Sequence, residues 1–205
     1  MTHPTFACES ALLREGYTRI CGIDEAGRGA WAGPLVAACV ILPHDFELRG
    51  WGVNDSKLLS PKKRSAVFSV IKQRALDFGI GSVSPEEILS RGLSRANRLA
   101  MERAVAALSS PPDYLLIDAF RIHTNVPMKI FIKGDARVAS IAAASILAKV
   151  ARDTIMVELA QKYPRYCFDK HKGYGTALHH AYLKKYGICD IHRKSYRPIQ
   201  KLIDA

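Results

Sequence analysis

The sequence lacks the long apolar runs of membrane proteins and the cysteine spacing of structural metal sites. No segment approaches the roughly 18 consecutive apolar residues of a transmembrane helix. The N-terminus has no basic-then-apolar secretory signal, so we expect a cytoplasmic protein that does not bind a membrane. The five cysteines are odd in number and include no C-x-x-C pair. This argues against a disulfide framework and against a cysteine zinc site.

Acidic residues are few relative to basic ones, and the imbalance is concentrated near the C-terminus. The chain carries 30 Lys and Arg against 19 Asp and Glu, a formal net charge of +11. Within residues 162–201, only Asp169 and Asp190 oppose ten basic residues: Lys162, Arg165, Lys170, Lys172, Lys184, Lys185, Arg193, Lys194, Arg197 and Lys201. Aromatic residues lie between them: Tyr163, Tyr166, Phe168, Tyr174, Tyr182, Tyr186 and Tyr196. Such a stretch is usually a solvated face, but the interleaved aromatics favour a phosphate-binding surface.

The order of apolar segments predicts an α/β fold with a mixed β-sheet flanked by helices. We expect strands at 18–23, 35–42, 78–83, 114–117 and 129–132. Ser60, Ser84 and Ser94 are candidate N-caps, and helices are also expected over 136–162 and 176–186. Residues 1–162 are predicted to form the main α/β domain, with 163–205 as a basic helical region packed on it.

Four carboxylates lie at or near the ends of the predicted strands. Asp24 and Glu25 follow the first strand, Asp118 follows the fourth, and Asp135 comes shortly after the fifth. Acids at strand ends are costly for packing but suit divalent cations such as Mg²⁺, which prefer oxygen ligands. Two such ions can activate water and stabilise the leaving oxygen of a phosphodiester. In a basic chain, these acids predict a metal-dependent enzyme acting on a polyanion.

Each acid also has an ordinary structural interpretation. Asp135 could cap the helix that follows it, Asp118 could be a turn residue, and Asp24 with Glu25 could start the glycine-rich turn. Adjacent residues on a regular strand point to opposite faces. If Asp24 and Glu25 both reach one metal site, the backbone must therefore bend at residues 26–27.

Asp153 is a fifth candidate acid that helix length excludes. One helix running from Asp135 to Asp153 would separate them by about 27 Å, which is too far for a shared metal site. We expect Asp153 to pair with Lys149 or Arg152 on the helix surface, or to anchor another segment.

The glycine-rich turn at 27–32 formally matches the dinucleotide fingerprint G-x-G-x-x-A. That fingerprint requires a helix after the glycines, whereas here an apolar strand-like run follows. We interpret the turn as a loop whose backbone amides approach a substrate closely, with Arg28 adding positive charge. The seven histidines show no recognisable ligand set, and His179 and His180 are expected to be surface or packing residues.

Together these segments resemble the ribonuclease HII family. The matching blocks are 22–29, 32–34, 55–57, 116–118, 133–135, 140–150 and 171–176, and the first is highly specific. The resemblance implies a ribonuclease H-like fold with a helical C-terminal portion. It also implies endonucleolytic cleavage of RNA in RNA–DNA hybrids and at single ribonucleotides embedded in duplex DNA. The implied products carry 5′-phosphate and 3′-hydroxyl ends.

The resemblance assigns roles to individual residues. The family's acids that hold two Mg²⁺ or Mn²⁺ ions are matched by Asp24, Glu25, Asp118 and Asp135. Its loop that contacts the 2′-OH is matched by Gly27, Arg28 and Gly29. Tyr174 matches the aromatic residue that recognises the RNA–DNA junction, and Lys57 matches a substrate-binding lysine. Three residues depart from the common family pattern: Ala30, Trp31 and Leu58. These departures put loop packing or a phosphate contact in doubt. The implied partners are the two kinds of ribonucleotide-containing duplex, with a replication clamp as a further candidate for this expected monomer.

Two alternative functions follow from the same residues. Another nuclease of the same fold could use similar acids on plain DNA. A non-catalytic nucleic-acid-binding protein would explain the basic tail, but it would not explain the four acids, which repel phosphate unless metals intervene.

Overall fold

Five strands form one mixed β-sheet in the computed structural model, which describes residues 3–45, 52–53 and 59–204. In chain order the strands are β1 Ile20–Ala26, β2 Leu35–Ile41, β3 Asp77–Val83, β4 Tyr114–Asp118 and β5 Met128–Phe131. Their spatial order is β3-β2-β1-β4-β5, with β1, β2 and β3 antiparallel and with β1, β4 and β5 parallel. The predicted α/β class and mixed sheet are confirmed.

Helices cover both faces of this sheet. In chain order they are α1 Ala7–Arg14, α2 Pro61–Arg74, α3 Pro85–Arg91, α4 Leu93–Ala106, α5 Ala139–Lys162, α6 Phe168–His171, α7 Ala177–Tyr186 and α8 Arg197–Ile203. Short 3₁₀ turns occur at Gly134–Ala136 and Pro164–Tyr166. Within the described ranges, none of the helices combines the length and the apolar composition that a membrane crossing needs.

Two of the predicted helix starts are confirmed and one is wrong. Ser60 accepts a hydrogen bond from the amide of Lys63, and Ser84 forms a reciprocal capping box with Glu87. Ser94 does not cap α4, because that helix begins directly after Gly92. Gly92 has φ +76°, a conformation that glycine adopts without strain and that ends α3 immediately before α4 begins.

Helix α5 packs closely against the sheet, and this contact positions the polar residues of its middle turns. Its alanines bury against β1 and β2, while the opposite face of the sheet packs on α4. A Cβ on Gly22 would lie 2.2 Å from the backbone of Ser140, so glycine is required where the helix crosses β1. The close approach brings the helix over the ends of β1 and β4.

The C-terminal segment contributes a small core of its own. Tyr166 and Phe168 are buried with Ala32 and Met156, which ties residues after α5 to the loop after β1. These two aromatics therefore pack inside the protein and do not face a ligand. Of the ten basic residues in this region, Arg193 is buried and Lys172 is half-buried, while the other eight are exposed.

Candidate active site

A cleft of about 250 Å³ opens where the ends of β1 and β4 meet α5 and the loop that follows α6. Its walls are formed by Asp24, Glu25, Ala26, Gly27, Asp118, Ser145, Lys149 and Tyr174. Strands β1 and β4 are parallel neighbours, so their carboxyl ends lie side by side. Crevices at this position are the usual ligand sites of open α/β sheets. The fold thus brings three of the four predicted acids to one cleft.

Asp24 is buried among other acids. The residue is 4% exposed, and its Oδ1 accepts a hydrogen bond from the backbone amide of Glu25 at 2.7 Å. Burial raises the pKa of the Asp24 carboxyl well above its usual range, and the nearby charges of Glu25 and Asp118 raise it further. A hydrogen bond with Ser145 opposes this shift. A divalent cation in the cleft would favour the ionised carboxylate of Asp24.

Both adjacent acids of β1 line the cleft even though the strand remains regular beside them. Pairing with β2 continues through Asp24, Glu25 and Ala26, so these acids lie within the strand and not after it as predicted. Gly27 then takes φ +89°, which turns the chain away from the sheet. The chain therefore turns at Gly27, after the paired Ala26 and within the 26–27 bend that the sequence predicted.

Asp118 and Asp135 are linked through one backbone amide. The Oδ1 of Asp118 accepts a hydrogen bond of 2.8 Å from the amide of Gly134, the residue before Asp135. Asp135 lies in the 3₁₀ turn and is 3% exposed. It does not cap α5, because Val138 occupies the N-cap position. The structure thus places Asp135 beside Asp118 but not on the wall of the cleft.

A buried arginine holds the glycine-rich loop. Arg152 donates hydrogen bonds to the carbonyls of Pro34 at 2.9 Å, Ala32 at 3.1 Å and Lys172 at 2.9 Å. A Cβ on Gly27 would lie 1.9 Å from the Nε of this arginine. Gly27 is therefore required by the positive φ and by the close approach of Arg152. The expectation that Arg152 lies on the helix surface is wrong, since its side chain is fully buried.

The next residues of the loop are more open. The Arg28 guanidinium lies 4.2 Å from the centre of the Phe120 ring, and the Arg28 carbonyl accepts hydrogen bonds from Arg193 and Tyr196. Gly29 is exposed, and a Cβ there would meet no described atom within 4 Å. Packing inside the chain therefore gives no reason for a glycine at position 29.

Helix α5 supplies two cleft residues that sequence reasoning missed. Ser145 and Lys149 are one turn apart and both line the cleft. Lys149 also pairs with Asp153 at 2.8 Å, which confirms the predicted partner of that acid. The Tyr174 ring centre lies 5.2 Å from the Lys149 Nζ and 5.0 Å from the Arg152 Cζ. The available signal was the i, i+4 spacing of two polar residues within the largely apolar first half of the helix.

The donor chemistry suits a hard divalent cation, although the acids do not form a closed metal site. Across the described residues, no set of three or more His, Cys, Asp or Glu side chains is placed to hold an ion by itself. The cleft nevertheless gathers carboxylate oxygens, and Mg²⁺ usually keeps several waters and binds through one or two carboxylates plus phosphate. The oxygen donors of the cleft and the raised pKa of Asp24 therefore fit such an ion. Lys57 lies outside the described residues.

Comparison with known proteins places this chain in one family. Residues 21–199 match the sequence model described as Ribonuclease HII. Ribonuclease HII of Geobacillus kaustophilus strain HTA426 is 50% identical over 197 residues, covering 96% of this chain and 75% of the relative. The crystal structure of ribonuclease H2 from Pyrococcus horikoshii OT3 has a TM-score of 0.77 at 29% identity, over 90% of this chain and 97% of the other. The structure of the PCNA:RNase HII complex from Archaeoglobus fulgidus has a TM-score of 0.76 at 26% identity, over 88% of this chain and 96% of the other. The chain therefore belongs to the ribonuclease HII family of nucleases.

Proposed function

We propose that this nuclease is a metal-dependent endoribonuclease that cuts the RNA strand of RNA–DNA hybrids and cuts 5′ of single ribonucleotides embedded in duplex DNA. The products would carry 5′-phosphate and 3′-hydroxyl ends. The observation that carries this proposal is one cleft lined both by the carboxylates Asp24, Glu25 and Asp118 and by Tyr174. Carboxylates supply a metal-binding wall, and the aromatic ring supplies a surface for a sugar or base.

Asp24, Glu25, Asp118 and Asp135 would hold two Mg²⁺ or Mn²⁺ ions together with water and substrate oxygens. When bound, such a pair supplies an activated water and stabilises the leaving oxygen of an in-line displacement. The protein contributes carboxylates that are already oriented. The Glu25 amide fixes Asp24, and the Gly134 amide fixes Asp118. Little reorganisation is then needed when the substrate enters.

Positive groups around the acids allow a phosphate to enter an otherwise repulsive cleft. Lys149 lines the cleft directly, and Arg28 lies on the adjacent loop. Gly29 leaves its backbone exposed. A bare backbone can approach a ribose 2′-OH closely, and this hydroxyl is the group that distinguishes RNA from DNA. We assign Gly27, Arg28 and Gly29 to this contact, Tyr174 to the RNA–DNA junction, and Lys57 to a phosphate.

The exposed basic residues of the C-terminal region supply charge for holding a duplex. Eight Lys and Arg side chains between residues 162 and 201 are exposed. Contacts of this kind release counterions from the nucleic acid, so affinity falls steeply as salt rises. We extend the proposal to a monomeric enzyme that also binds a replication clamp, since the similar protein of Archaeoglobus fulgidus was solved as a PCNA complex. Chromatography of the chain alone tests whether it is a monomer. Chromatography with a purified clamp tests the complex, which co-elution of the two proteins would show.

The decisive test uses matched duplexes that carry zero, one or several consecutive ribonucleotides. We expect cleavage of the second and third substrates with Mg²⁺ or Mn²⁺ and no cleavage with chelator. Mapping the ends should place the single-ribonucleotide cut on its 5′ side. Cleavage of the all-DNA duplex would instead support another nuclease of the same fold. Metal-independent binding without cleavage would support a non-catalytic binding protein.

A further inference from the structure

Three buried histidines lie beneath the loop that carries Tyr174. His171 comes from the end of α6, His179 from α7, and His192 from the segment before α8. They are 7%, 0% and 1% exposed. The rings of His171 and His179 are stacked with centres 4.2 Å apart, and those of His179 and His192 are 5.3 Å apart. The cluster lies outside the acidic cleft, and the proposed chemistry does not use it.

The hydrogen bonds of this cluster determine which nitrogen of each ring carries the proton. The Nδ1 of His179 lies 3.0 Å from the carbonyl oxygen of Tyr174, which can only accept, so neutral His179 carries its proton on Nδ1. The Nε2 of His179 then accepts a hydrogen bond from the Nε2–H of His192 at 3.1 Å. This leaves the Nδ1 of His192 to accept from the Cys189 amide at 2.8 Å, while the Cys189 carbonyl oxygen lies further from that nitrogen, at 3.2 Å.

The third histidine acts on the neighbouring residue of the same loop. The Nδ1 of His171 accepts a hydrogen bond from the Gly173 amide at 3.1 Å, and its Nε2 donates to the Tyr166 carbonyl at 2.7 Å. Gly173 has φ +77°, and a Cβ there would lie 2.4 Å from the carbonyl oxygen of Ala32. The main chain at 173–174 is therefore held by two imidazoles from below and by the glycine-rich loop from the side.

All three rings must be neutral for this network to exist. A second proton on His179 would face the Nε2–H of His192, and a second proton on the Nδ1 of His192 would replace its 2.8 Å hydrogen bond from the Cys189 amide by a longer contact of 3.2 Å with the Cys189 carbonyl oxygen. Burial supports the neutral forms, since it lowers the pKa of His179 and of His192 to about 4. The network therefore has one donor direction, from the Cys189 amide through two rings to the Tyr174 carbonyl.

We propose that His179, oriented by His192, is a positioning residue that sets the main chain of Tyr174 and thereby the enzyme's selectivity for embedded ribonucleotides. His179 does not line the cleft; it acts through Tyr174, whose ring does. The inference rests on the proposed role of Tyr174 at the RNA–DNA junction. A uniform RNA–DNA hybrid can be cut at many positions, whereas a duplex with a single ribonucleotide can be cut at only one. A loosely held Tyr174 should therefore lower cleavage of the single-ribonucleotide duplex more than cleavage of the hybrid.

Two substitutions separate positioning from simple packing. In His179→Asn the side-chain amide nitrogen takes the place of Nδ1 and retains the donor to Tyr174, whereas His179→Leu removes the donor. His180→Leu is the matched control, because His180 is the neighbouring residue on α7 and is exposed. The readout is the ratio of kcat/KM for a duplex with one ribonucleotide to kcat/KM for a uniform hybrid.

We expect His179→Leu to lower this ratio about tenfold, the effect of one lost hydrogen bond, while His179→Asn and His180→Leu stay within about threefold of the parent. An unchanged ratio in a folded His179→Leu protein would overturn the proposal. A second measurement does not depend on activity or on a variant. Long-range ¹H–¹⁵N NMR should show the proton of His179 on Nδ1 and that of His192 on Nε2, and the reverse assignment for His179 would also overturn it.

Failure of the proposed function looks different. If the parent protein does not cut the duplex with one ribonucleotide, that function is wrong, while the NMR assignment still tests the network by itself.

Discussion

Arg152→Lys gives the sharpest test of how the two substrate loops are held together. The guanidinium donates to three carbonyls from two loops: Ala32, Pro34 and Lys172. Hydrogen bonds from charged donors contribute about 1.5–3 kcal/mol each. A lysine ammonium on a flexible stem can replace one of the three, so about 3–6 kcal/mol of unfolding free energy should be lost. For a chain of this size, that loss lowers Tm by roughly 10 °C.

Thermal and urea unfolding followed by circular dichroism measure this loss. Arg95→Lys is the matched control, since Arg95 is an exposed arginine on α4 and its replacement should change stability by less than about 0.5 kcal/mol. The Arg152 variant should also cleave more slowly, because the guanidinium lies 5.0 Å from the Tyr174 ring. A stability change below about 1 kcal/mol would refute the reasoning that Arg152 links the loops.

Three further predictions concern the loop, the cleft and the histidines. Gly27→Ala should lose at least about 2 kcal/mol of unfolding free energy, because Gly27 has a positive φ and lies against Arg152. Gly29→Ala should keep the Tm of the parent but cleave the substrate less. Unfolding and cleavage assays of the two variants measure these effects. Asp24→Asn should raise the Tm measured in chelator, because the amide removes a buried charge beside other acids, and should abolish any rise in Tm on adding Mg²⁺. Since the pKa values of His179 and His192 are about 4 when folded and near 6.5 when unfolded, stability should be full above about pH 6.5 and fall as the pH drops. Urea unfolding at about pH 5 should show a loss of unfolding free energy on the order of 2 kcal/mol per histidine. In His179→Asn the total loss should be roughly halved, because only one of the two histidines remains.

Local patterns in the sequence were sufficient for much of the fold. Alternating apolar segments gave all the strands of the described sheet to within a few residues, and the Ser-Pro pairs at 60 and 84 gave two helix starts. Ser94 misled because Gly92 ends one helix and begins the next without a side-chain cap. The long helix begins at Ala139, later than predicted, because residues 134–136 form a separate 3₁₀ turn.

The candidate site was only partly accessible from the sequence, because its construction depends on contacts between distant segments. The grouping of Asp24, Glu25 and Asp118 followed from strand ends, which are local features. The burial of Arg152 and Arg193 did not, since most of their carbonyl partners lie more than a hundred residues away in the sequence, on the loop between β1 and β2. A charged residue in a basic chain is normally exposed, and its partners become visible only after folding.

The histidine network illustrates the same limit. His171, His179 and His192 have no ligand-like spacing, and each makes sense only when three segments meet under Tyr174. The expectation that His179 is a surface or packing residue omitted its hydrogen bond to the Tyr174 carbonyl. That bond is determined by tertiary structure and has no signature in the sequence.

The most direct test of the central claim is single-turnover cleavage of a duplex with one ribonucleotide by the parent chain, by Asp24→Asn and by Asp190→Asn. Asp190 is an exposed acid and serves as the control. With Mg²⁺, the parent and Asp190→Asn should cut 5′ of the ribonucleotide, while Asp24→Asn should bind the duplex with similar affinity and leave it intact. Full cleavage by Asp24→Asn would contradict the account that this carboxylate holds the metal that drives the reaction.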